Sequence, residues 1–241
     1  MATETESLST RIEIRGLVKR YHHQPVLNQI TLTLNDGDFC ILVGDNGAGK
    51  TTLLRILAGL VQPTQGEITM GGASPVGNPD LRRLIGYVGH QPMFYQDLTA
   101  EENLHHYARL YQIQDADAAV THSIAGVGLT LQKSQPVRIL SRGMQQRLSL
   151  ARALIHNPTI LLLDEPYTGL DQDAAIFLDN SLRSLHTPGR TILLTAHRPQ
   201  RLLTMASHIA WLRDGQIYQH IPINNLHEAP QLSCYLQEVA A

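Results

Sequence analysis

The sequence has few of the features that mark secreted, membrane-spanning or nucleic-acid-binding proteins. It holds only two cysteines in 241 residues, Cys40 and Cys234, so no disulfide framework is expected. No apolar run approaches the ~20 residues that a membrane-spanning helix needs. The first residues are acidic and polar, and they lack the basic and apolar regions of a secretion signal. We therefore expect a protein that is made and kept in the cytosol.

Positive charge is not in excess either. Lys and Arg total 19 against 21 Asp and Glu, which gives a formal net charge of −2. That balance provides no broad field to attract nucleic acid, so no nucleic-acid partner is expected. Hydrophobic residues make up 43% of the chain and charged residues 17%, as in globular proteins. The length fits one large domain, or one domain with an inserted lobe.

The apolar pattern predicts where the domain begins and ends. We expect a disordered tail over residues 1–10, a folded domain over residues 11–222 and a C-terminal tail over residues 223–241. Thr99 and Glu102 form a capping box that predicts a helix over about 100–111. Because the segment of about 92–140 is mainly helical between two α/β stretches, we predict that it is an inserted helical lobe.

Two kinds of apolar pattern predict strands. Ile12 and Ile14 alternate with charged residues, as in a half-buried strand. The segments 39–43, 160–163 and 191–195 are continuous apolar runs or nearly so, which is typical of strands covered on both faces. Helical patterns follow these runs. The alternation predicts an α/β fold with a mostly parallel sheet.

A glycine-rich loop between a predicted buried strand and a predicted helix is the strongest motif. It matches the pattern Gly-x-x-x-x-Gly-Lys-Ser/Thr of phosphate loops, in which backbone N–H groups and a helix N-terminus surround the phosphates. Lys50 adds a positive charge toward the β- and γ-phosphates, and Thr51 offers a hydroxyl to Mg²⁺. The predicted nucleotide-binding residues here are Gly44, Asp45, Asn46, Gly47, Ala48, Gly49, Lys50, Thr51 and Thr52.

Two carboxylates end the buried run over residues 160–163. Placed beside the phosphate loop, Asp164 can hold Mg²⁺ through its water shell. Glu165 can accept a hydrogen bond from an attacking water and polarise it. The pair therefore predicts hydrolysis of a nucleoside triphosphate.

The segment 140–147, Leu-Ser-Arg-Gly-Met-Gln-Gln-Arg, carries a family resemblance. It is similar to the Leu-Ser-Gly-Gly-Gln signature of the nucleotide-binding subunits of ATP-binding-cassette (ABC) transporters. Ser141 and Gly143 match that signature, whereas Arg142 and Met144 depart from it. The resemblance extends over roughly residues 11–220. It implies a P-loop NTPase core with a mostly parallel sheet, an N-terminal antiparallel β subdomain and the inserted helical subdomain.

The resemblance implies further site residues. Tyr21 stands where the family stacks an aromatic ring on adenine, with a core or surface role as the alternative. Gln91 matches the glutamine that reaches Mg²⁺ and joins the helical lobe to the core. His197 matches the switch histidine that contacts the γ-phosphate. The predicted catalytic residues are then Lys50, Gln91, Glu165 and His197, and the predicted metal-binding residues are Thr51, Gln91 and Asp164.

The resemblance also implies partners. ATP and Mg²⁺ would be bound between two subunits, in a homodimer or with a second ATP-binding subunit, and Ser141 and Gly143 of one would close over the ATP of the other. The loop 169–171 looks like the one that crosses to the partner. An integral membrane subunit would hold the dimer at the inner face of the cell membrane. Met93, Phe94 and Tyr95 are candidates for receiving it, and packing inside the lobe is the alternative.

Among subtypes, the segments 141–147 and 167–171 are most similar to the ATP-binding subunit of haem exporters of cytochrome c maturation, although they also suit other small exporters. The main hypothesis is an ATPase that powers transport through a separate membrane subunit. Two alternatives use the same residues: a soluble ABC-type ATPase that remodels a protein assembly, and a nucleotide-gated binding module with little turnover.

Overall fold

A computed structural model describes residues 11–22 and 24–238, so the tail predicted for residues 1–10 lies outside the described residues. The strands are β1 (Ile12–Tyr21), β2 (Gln24–Leu34), β3 (Phe39–Val43), β4 (Gln65–Met70), β5 (Ile85–Val88), β6 (Ile160–Asp164), β7 (Thr191–Thr195), β8 (His208–Arg213) and β9 (Gln216–Pro222). The α-helices are α1 (Lys50–Leu57), α2 (Pro79–Arg82), α3 (Ala100–Leu110), α4 (Ala116–Gly126), α5 (Arg142–Leu154), α6 (Gln172–Leu185) and α7 (Pro230–Glu238).

A six-stranded sheet forms the centre of the molecule. Its order is β5-β6-β7-β3-β8-β9, and all neighbours are parallel except the hairpin β8–β9. Every residue of β3, β6 and β7 is buried, as their continuous apolar runs predict. Because β3, β6 and β7 are parallel neighbours, their carboxyl ends share one edge of the sheet, and the loops that follow them converge there.

A second, antiparallel sheet has the order β2-β1-β4. Ile12 and Ile14 of β1 are buried as the alternating pattern predicts, and they belong to the same apolar core as α1. The predicted α/β architecture, with a largely parallel sheet and a small antiparallel one, is confirmed. Helix α1 ends at Leu57 because Gly59 turns the chain with φ of +69°, and Leu60 beyond the turn is exposed.

Helices α3, α4 and α5 pack around a separate apolar cluster that includes Leu104, Val120 and Leu148. Helix α3 begins at the predicted capping box: Thr99 accepts from the backbone of Glu102, and the Glu102 carboxylate accepts from the Thr99 N–H at 2.8 Å. The inserted segment and α5 therefore share a small apolar core.

The C-terminal segment contains more structure than the predicted tail. A 3-10 helix covers Ile223–Glu228, and α7 follows it. Leu232 and Leu236 of α7 are buried in the apolar cluster that also contains Trp211. Along the described ranges, no helix combines the length and apolar character needed to cross a bilayer.

Candidate functional site

The glycine-rich loop joins β3 to α1 in a conformation that requires its glycines. Gly44 has a φ of +152°, and a Cβ there would lie 2.1 Å from the backbone oxygen of Leu212. Gly49 has a φ of +108°, and a Cβ there would lie 2.6 Å from Leu27 of β2. Neither position accepts a side chain without a shift of the neighbouring backbone or core. Helix α1 then begins at Lys50, so its N-terminal N–H groups face the loop.

Lys50 is buried, and its ammonium group spans the loop. Its Nζ donates to the carbonyl oxygens of Gly44 at 2.7 Å and Asp45 at 3.0 Å. Burial lowers the pKa of Lys50, while the carboxylates of Glu165 and Asp164 act in the opposite direction. An ammonium group beside the first N–H groups of α1 suits a phosphate.

The other predicted loop residues differ in their exposure. Asp45, Asn46 and Gly47 are exposed at the tip of the loop, whereas Ala48 is buried. Thr52 is half-buried in the first turn of α1. The open side of the loop is thus formed by the segment that carries Asp45.

Asp164 ends β6 beside the first turn of α1. Its Oδ1 accepts hydrogen bonds from the hydroxyls of Thr51 at 3.1 Å and Thr195 at 3.0 Å. Its Oδ2 is buried and has no hydrogen-bond partner among the described residues. A buried carboxylate oxygen with spare bonding capacity beside a threonine hydroxyl is a donor set that suits Mg²⁺.

Glu165, the next residue, has an unusual backbone conformation that its surroundings must hold in place. Its φ is +49°, in the left-handed region that few residues other than glycine adopt, and its N–H donates to Thr195 Oγ1 at 2.7 Å. This turn places Oε1 at 3.3 Å from His197 Nε2 and 4.0 Å from Lys50 Nζ. Thr168 donates to Oε2 at 3.3 Å. The carboxylate is therefore held between two groups that can carry positive charge.

Gln91 lines one cleft with Glu165. The cleft has a volume of about 400 Å³, and Arg142, Gln146 and Thr168 also line it. Since Gln91 lies in the loop after β5 and Gln146 lies on α5, the cleft lies between that loop and helix α5. The structure thus brings Gln91, Glu165, His197, Lys50, Thr51 and Asp164 to one region at the carboxyl edge of the sheet.

The signature residues are not joined to this phosphate loop. Ser141 caps α5 by accepting from Met144 N at 3.3 Å, and Gly143 packs against Ala174 of α6. A Cβ on Gly169 would lie 2.6 Å from Cζ of Arg142, so the Arg142 guanidinium packs over the loop 169–171. Within the described part of the chain, no hydrogen bond or ion pair links Ser141 or Gly143 to residues 44–52.

Tyr21 lies at the end of β1 and is 43% exposed. The ammonium of Lys19 lies 4.8 Å from its ring centroid. Among the described residues, no hydrogen bond, ion pair or ring contact joins Tyr21 to the phosphate loop, although Leu27, on the neighbouring strand β2, packs against Gly49. The ring is accessible to a flat ligand, and its predicted stacking on adenine stays a prediction.

Sequence reasoning missed two threonines that hold the carboxylates in place. Thr195 bonds both Asp164 and the backbone of Glu165, and Thr168 bonds the Glu165 side chain. The sequence offered one signal for Thr195, since it is a polar residue at the end of the apolar run of β7. Thr168 gave no such signal, because its contact depends on the turn after Glu165.

Two roles were considered for residues 93–95, receiving a membrane subunit and packing inside the helical lobe, and the three side chains divide between them. Phe94 packs against the apolar cluster of the helical lobe, whereas Met93 and Tyr95 are 41% and 57% exposed. A groove of about 210 Å³ begins at Met93. Its other main lining residues are Leu60, Tyr87, Tyr107, Tyr111 and Arg152.

Comparisons with known proteins identify the family. The family model for ABC transporters matches residues 27–168, which is more than half of the chain. The bacitracin transport ATP-binding protein of Bacillus licheniformis is 34% identical over 91% of this chain and 72% of its own length. The Nod factor export ATP-binding protein of Rhizobium johnstonii is 36% identical over 90% of this chain and 71% of its own.

Solved structures show the same fold. The ATP-binding subunit of an ABC transporter superposes with a TM-score of 0.85 and 26% identity, over 96% of this chain and all of that one (100%). A dimeric ATP-binding cassette bound to ADP and phosphate after hydrolysis gives a TM-score of 0.80 and 26% identity. The match covers 88% of this chain and 98% of that one. The chain belongs to the ABC transporter family, as an ATP-binding subunit with ATPase activity.

Proposed function

We propose that this chain hydrolyses ATP at the carboxyl edge of the central sheet and that the cycle drives a separate membrane subunit. The observation that carries the proposal is the convergence of Lys50, Asp164, Glu165 and His197 from three places in the fold: the start of α1, the end of β6 and the loop after β7. The triphosphate lies along residues 44–52, where N–H groups and the Lys50 ammonium face it. The Lys50 ammonium exchanges its carbonyl partners for phosphate oxygens.

Thr51, Asp164 and Gln91 are the residues that would hold Mg²⁺. The fit rests on the unpartnered, buried Oδ2 of Asp164 and on the Thr51 hydroxyl that already bonds Oδ1. When bound, Mg²⁺ neutralises charge on the β- and γ-phosphate oxygens. Thr195 keeps the Asp164 carboxylate in place because its hydroxyl bonds the same Oδ1.

Glu165 acts on the attacking water. Its carboxylate accepts a hydrogen bond from the water and takes up a proton as the water oxygen bonds to the γ-phosphorus. The bond from that phosphorus to the β-phosphate bridging oxygen breaks, and ADP and phosphate leave. His197 contacts the γ-phosphate and, at 3.3 Å from Oε1, fixes the direction of the Glu165 side chain.

The active unit is a head-to-tail dimer. Ser141 and Gly143 are exposed or half-buried and unconnected to their own phosphate loop, so they are free to close over ATP held by a second subunit. Arg142 packs on Gly169, which couples the signature to the loop that faces the partner. Closure excludes water from the phosphates, and loss of the γ-phosphate contacts lets the dimer open.

The groove that begins at Met93 receives a short helix of the membrane subunit. Met93 and Tyr95 offer exposed apolar surface beside Gln91, whose loop also lines the catalytic cleft. Because one loop serves both places, movement on hydrolysis reaches the docked helix. The complex places this chain at the cytoplasmic face of the cell membrane.

The cargo we propose is haem, exported for cytochrome c maturation. Support comes from the segments 141–147 and 167–171 alone, since the relatives above are named for bacitracin and Nod factor. Deletion of this chain in its host should then remove covalently bound haem from c-type cytochromes, detected by haem staining. Restoration by the wild-type chain but not by Glu165→Gln supports the proposal, and normal cytochromes in the deletion strain contradict it.

The transport proposal itself is tested by affinity purification from detergent-solubilised membranes. We expect an integral membrane protein to co-purify with the wild-type chain and to change its ATPase rate. Lys50→Ala should keep the membrane protein and lose hydrolysis. Purification of only water-soluble partners would instead favour an ATPase that remodels a protein assembly.

A further inference from the structure

Three side chains outside the catalytic set join the loop after β6 to the loop after β7. Tyr167, two residues past Glu165, donates from its hydroxyl to Oδ1 of Asp179 at 2.6 Å. Asp179 lies on α6, and its Oδ2 is 3.6 Å from Nη1 of Arg201. Arg201 lies in the 3-10 helix Gln200–Leu202, which follows the loop after β7. One carboxylate on α6 therefore contacts a residue from each loop.

The ring of Tyr167 strengthens this arrangement. The guanidinium carbon of Arg201 lies 5.8 Å from the ring centroid, within the range of a cation–π contact. The ring packs against the apolar cluster in which Leu202 is buried. Burial, together with the hydrogen bond and the charge of Asp179, raises the pKa of Tyr167, so the phenol keeps the proton that it donates. Tyr167, Asp179 and Arg201 thus contact one another mutually, and these three side chains are the Asp179 cluster.

The Asp179 cluster borders the pair that we propose for catalysis. Tyr167 lines a cavity of about 200 Å³ together with Glu165 and His197. Its neighbour Thr168 donates to Oε2 of Glu165 at 3.3 Å, and His197 Nε2 lies 3.3 Å from Oε1. A path of contacts therefore runs from one loop through Asp179 to the other, and it returns through the pair of Glu165 and His197. Because the path is closed, a shift of Tyr167 changes the geometry of that pair.

Backbone pairing does not hold the two loops together beyond the strands. The ladder between β6 and β7 ends at Asp164 and Thr195. Past that point, no backbone hydrogen bond joins residues 165–171 to residues 196–203 in the part of the chain that the structure describes. Side chains must therefore fix the distance between the loops, and the Asp179 cluster contacts both of them.

We propose that the Asp179 cluster positions the loop of Glu165 relative to the loop of His197, so that the carboxylate and the imidazole stay paired during hydrolysis. Tyr167 is the positioning residue on the first loop, and Arg201 is the positioning residue on the second. A catalytic group displaced by about 1 Å can lose about 10²-fold in rate. The inference rests on the proposed roles of Glu165 and His197, and it adds α6 to the elements that control the rate of hydrolysis.

The test separates turnover from ATP binding. Tyr167→Phe keeps the ring in the apolar cluster and removes only the hydroxyl that bonds Asp179, so we expect kcat, measured by phosphate release, to fall about tenfold. ATP affinity, measured by calorimetry in the Glu165→Gln background, should change by less than about twofold. Tyr218→Phe is the matched control, because the Tyr218 hydroxyl makes a bond of equal length, 2.6 Å, to Gln231. It should leave kcat unchanged.

Two further variants test whether the effect passes through the proposed path. Arg201→Met removes an exposed guanidinium, and we expect a smaller fall in kcat, about twofold to threefold, because water screens the ion pair. Combined with Tyr167→Phe it should cost less than the product of the two effects, since both act through Asp179. In a His197→Ala background, Tyr167→Phe should have little further effect on kcat, because the pair that it positions no longer exists.

Three results would each overturn the inference. The first is wild-type kcat in Tyr167→Phe or in Arg201→Met. The second is the same fold-loss from Tyr167→Phe with and without His197, which would place its action elsewhere. The third is an equal loss of kcat and of ATP affinity, which would indicate general damage to the fold.

Failure of this inference is separable from failure of the proposed site. If Glu165→Gln or His197→Ala hydrolyses ATP at the native rate, the pair is not catalytic, and both proposals fail. If both variants lose hydrolysis while Tyr167→Phe keeps wild-type kcat, only the positioning role of the Asp179 cluster is wrong.

Discussion

The Nε2 of His197 lies 3.3 Å from Oε1 of Glu165, although the two residues follow different strands. Strands β6 and β7 are parallel neighbours, with Asp164 paired to Thr195, so the residues after each strand emerge side by side. Thr195 strengthens this arrangement by bonding Asp164 and the Glu165 backbone together. The catalytic geometry we propose is therefore a property of the sheet register.

Glu165→Gln should bind Mg-ATP but hydrolyse it at least about 10²-fold more slowly than wild type, because the amide cannot accept the proton of the attacking water. Phosphate release measures the rate, and calorimetry measures ATP affinity. The exposed Glu67 of β4 provides a matched control, since Glu67→Gln makes the same chemical change far from the loop. Hydrolysis at the native rate in Glu165→Gln would show that another group is the base.

Thr51→Val should make hydrolysis depend on higher Mg²⁺ concentrations. The substitution keeps the shape of the side chain and removes the hydroxyl that lies 3.1 Å from Asp164 Oδ1. ATPase rates across a Mg²⁺ titration should show at least a tenfold rise in the concentration for half-maximal activity, equivalent to about 1.4 kcal/mol. Nucleotide binding in EDTA is the internal control and should match wild type. An unchanged Mg²⁺ requirement would remove Thr51 from the metal site.

Acid should destabilise the protein in part through His156. Burial lowers the pKa of His156 from 6.5 to about 4, while its Nε2 contacts the Ile85 oxygen at 3.1 Å and its ring stacks on Tyr111. Between pH 6.5 and 4 the unfolded state binds more protons at this site than the folded state, so the free energy of unfolding falls as the pH falls.

His156→Phe keeps a ring on Tyr111 and does not titrate. The drop in unfolding free energy between pH 7 and pH 5, measured by urea titration, should be smaller in this variant by about 1 kcal/mol after solvent screening is allowed for. Parallel curves for variant and wild type would mean that His156 titrates alike in both states.

Met93→Asp should release the membrane subunit while the isolated chain keeps its ATPase activity. Met93 lines the groove and is 41% exposed, so a carboxylate there disturbs docking without entering the core. Phe94→Asp is less informative because Phe94 packs into the helical lobe, and its loss would also destabilise the fold. The measurement is the yield of the membrane subunit that co-purifies with each variant. Leu110→Asp, at another exposed leucine, is the control. Full recovery of the membrane partner with Met93→Asp would exclude this groove.

Strong local signals made much of the fold predictable. The run over residues 39–43 is fully buried as β3, and the capping box at Thr99 starts α3 where expected. Helix α7 was missed because its apolar pattern is short, with only Leu232 and Leu236 buried. Their burial depends on a core that distant strands form. Tertiary packing, which no local pattern encodes, determines that this segment forms a docked helix.

The candidate site also has features that the sequence predicts and features that depend on the tertiary structure. Spacing within one motif predicted that Lys50 and Thr51 would share a loop, and parallel strands brought Asp164 to them. The left-handed backbone of Glu165 and the bond from Thr195 were not predictable, since both depend on the register of β6 against β7.

The central claim is that two copies sandwich ATP, each completing the other's site. Light scattering on Glu165→Gln tests it most directly, in Mg-ATP and in Mg-ADP, with and without the membrane subunit. We predict a dimer in Mg-ATP, a monomer in Mg-ADP, and loss of the ATP-dependent dimer when Ser141→Arg is added, with ATP still bound. A monomer under every condition, at saturating Mg-ATP, would contradict the account.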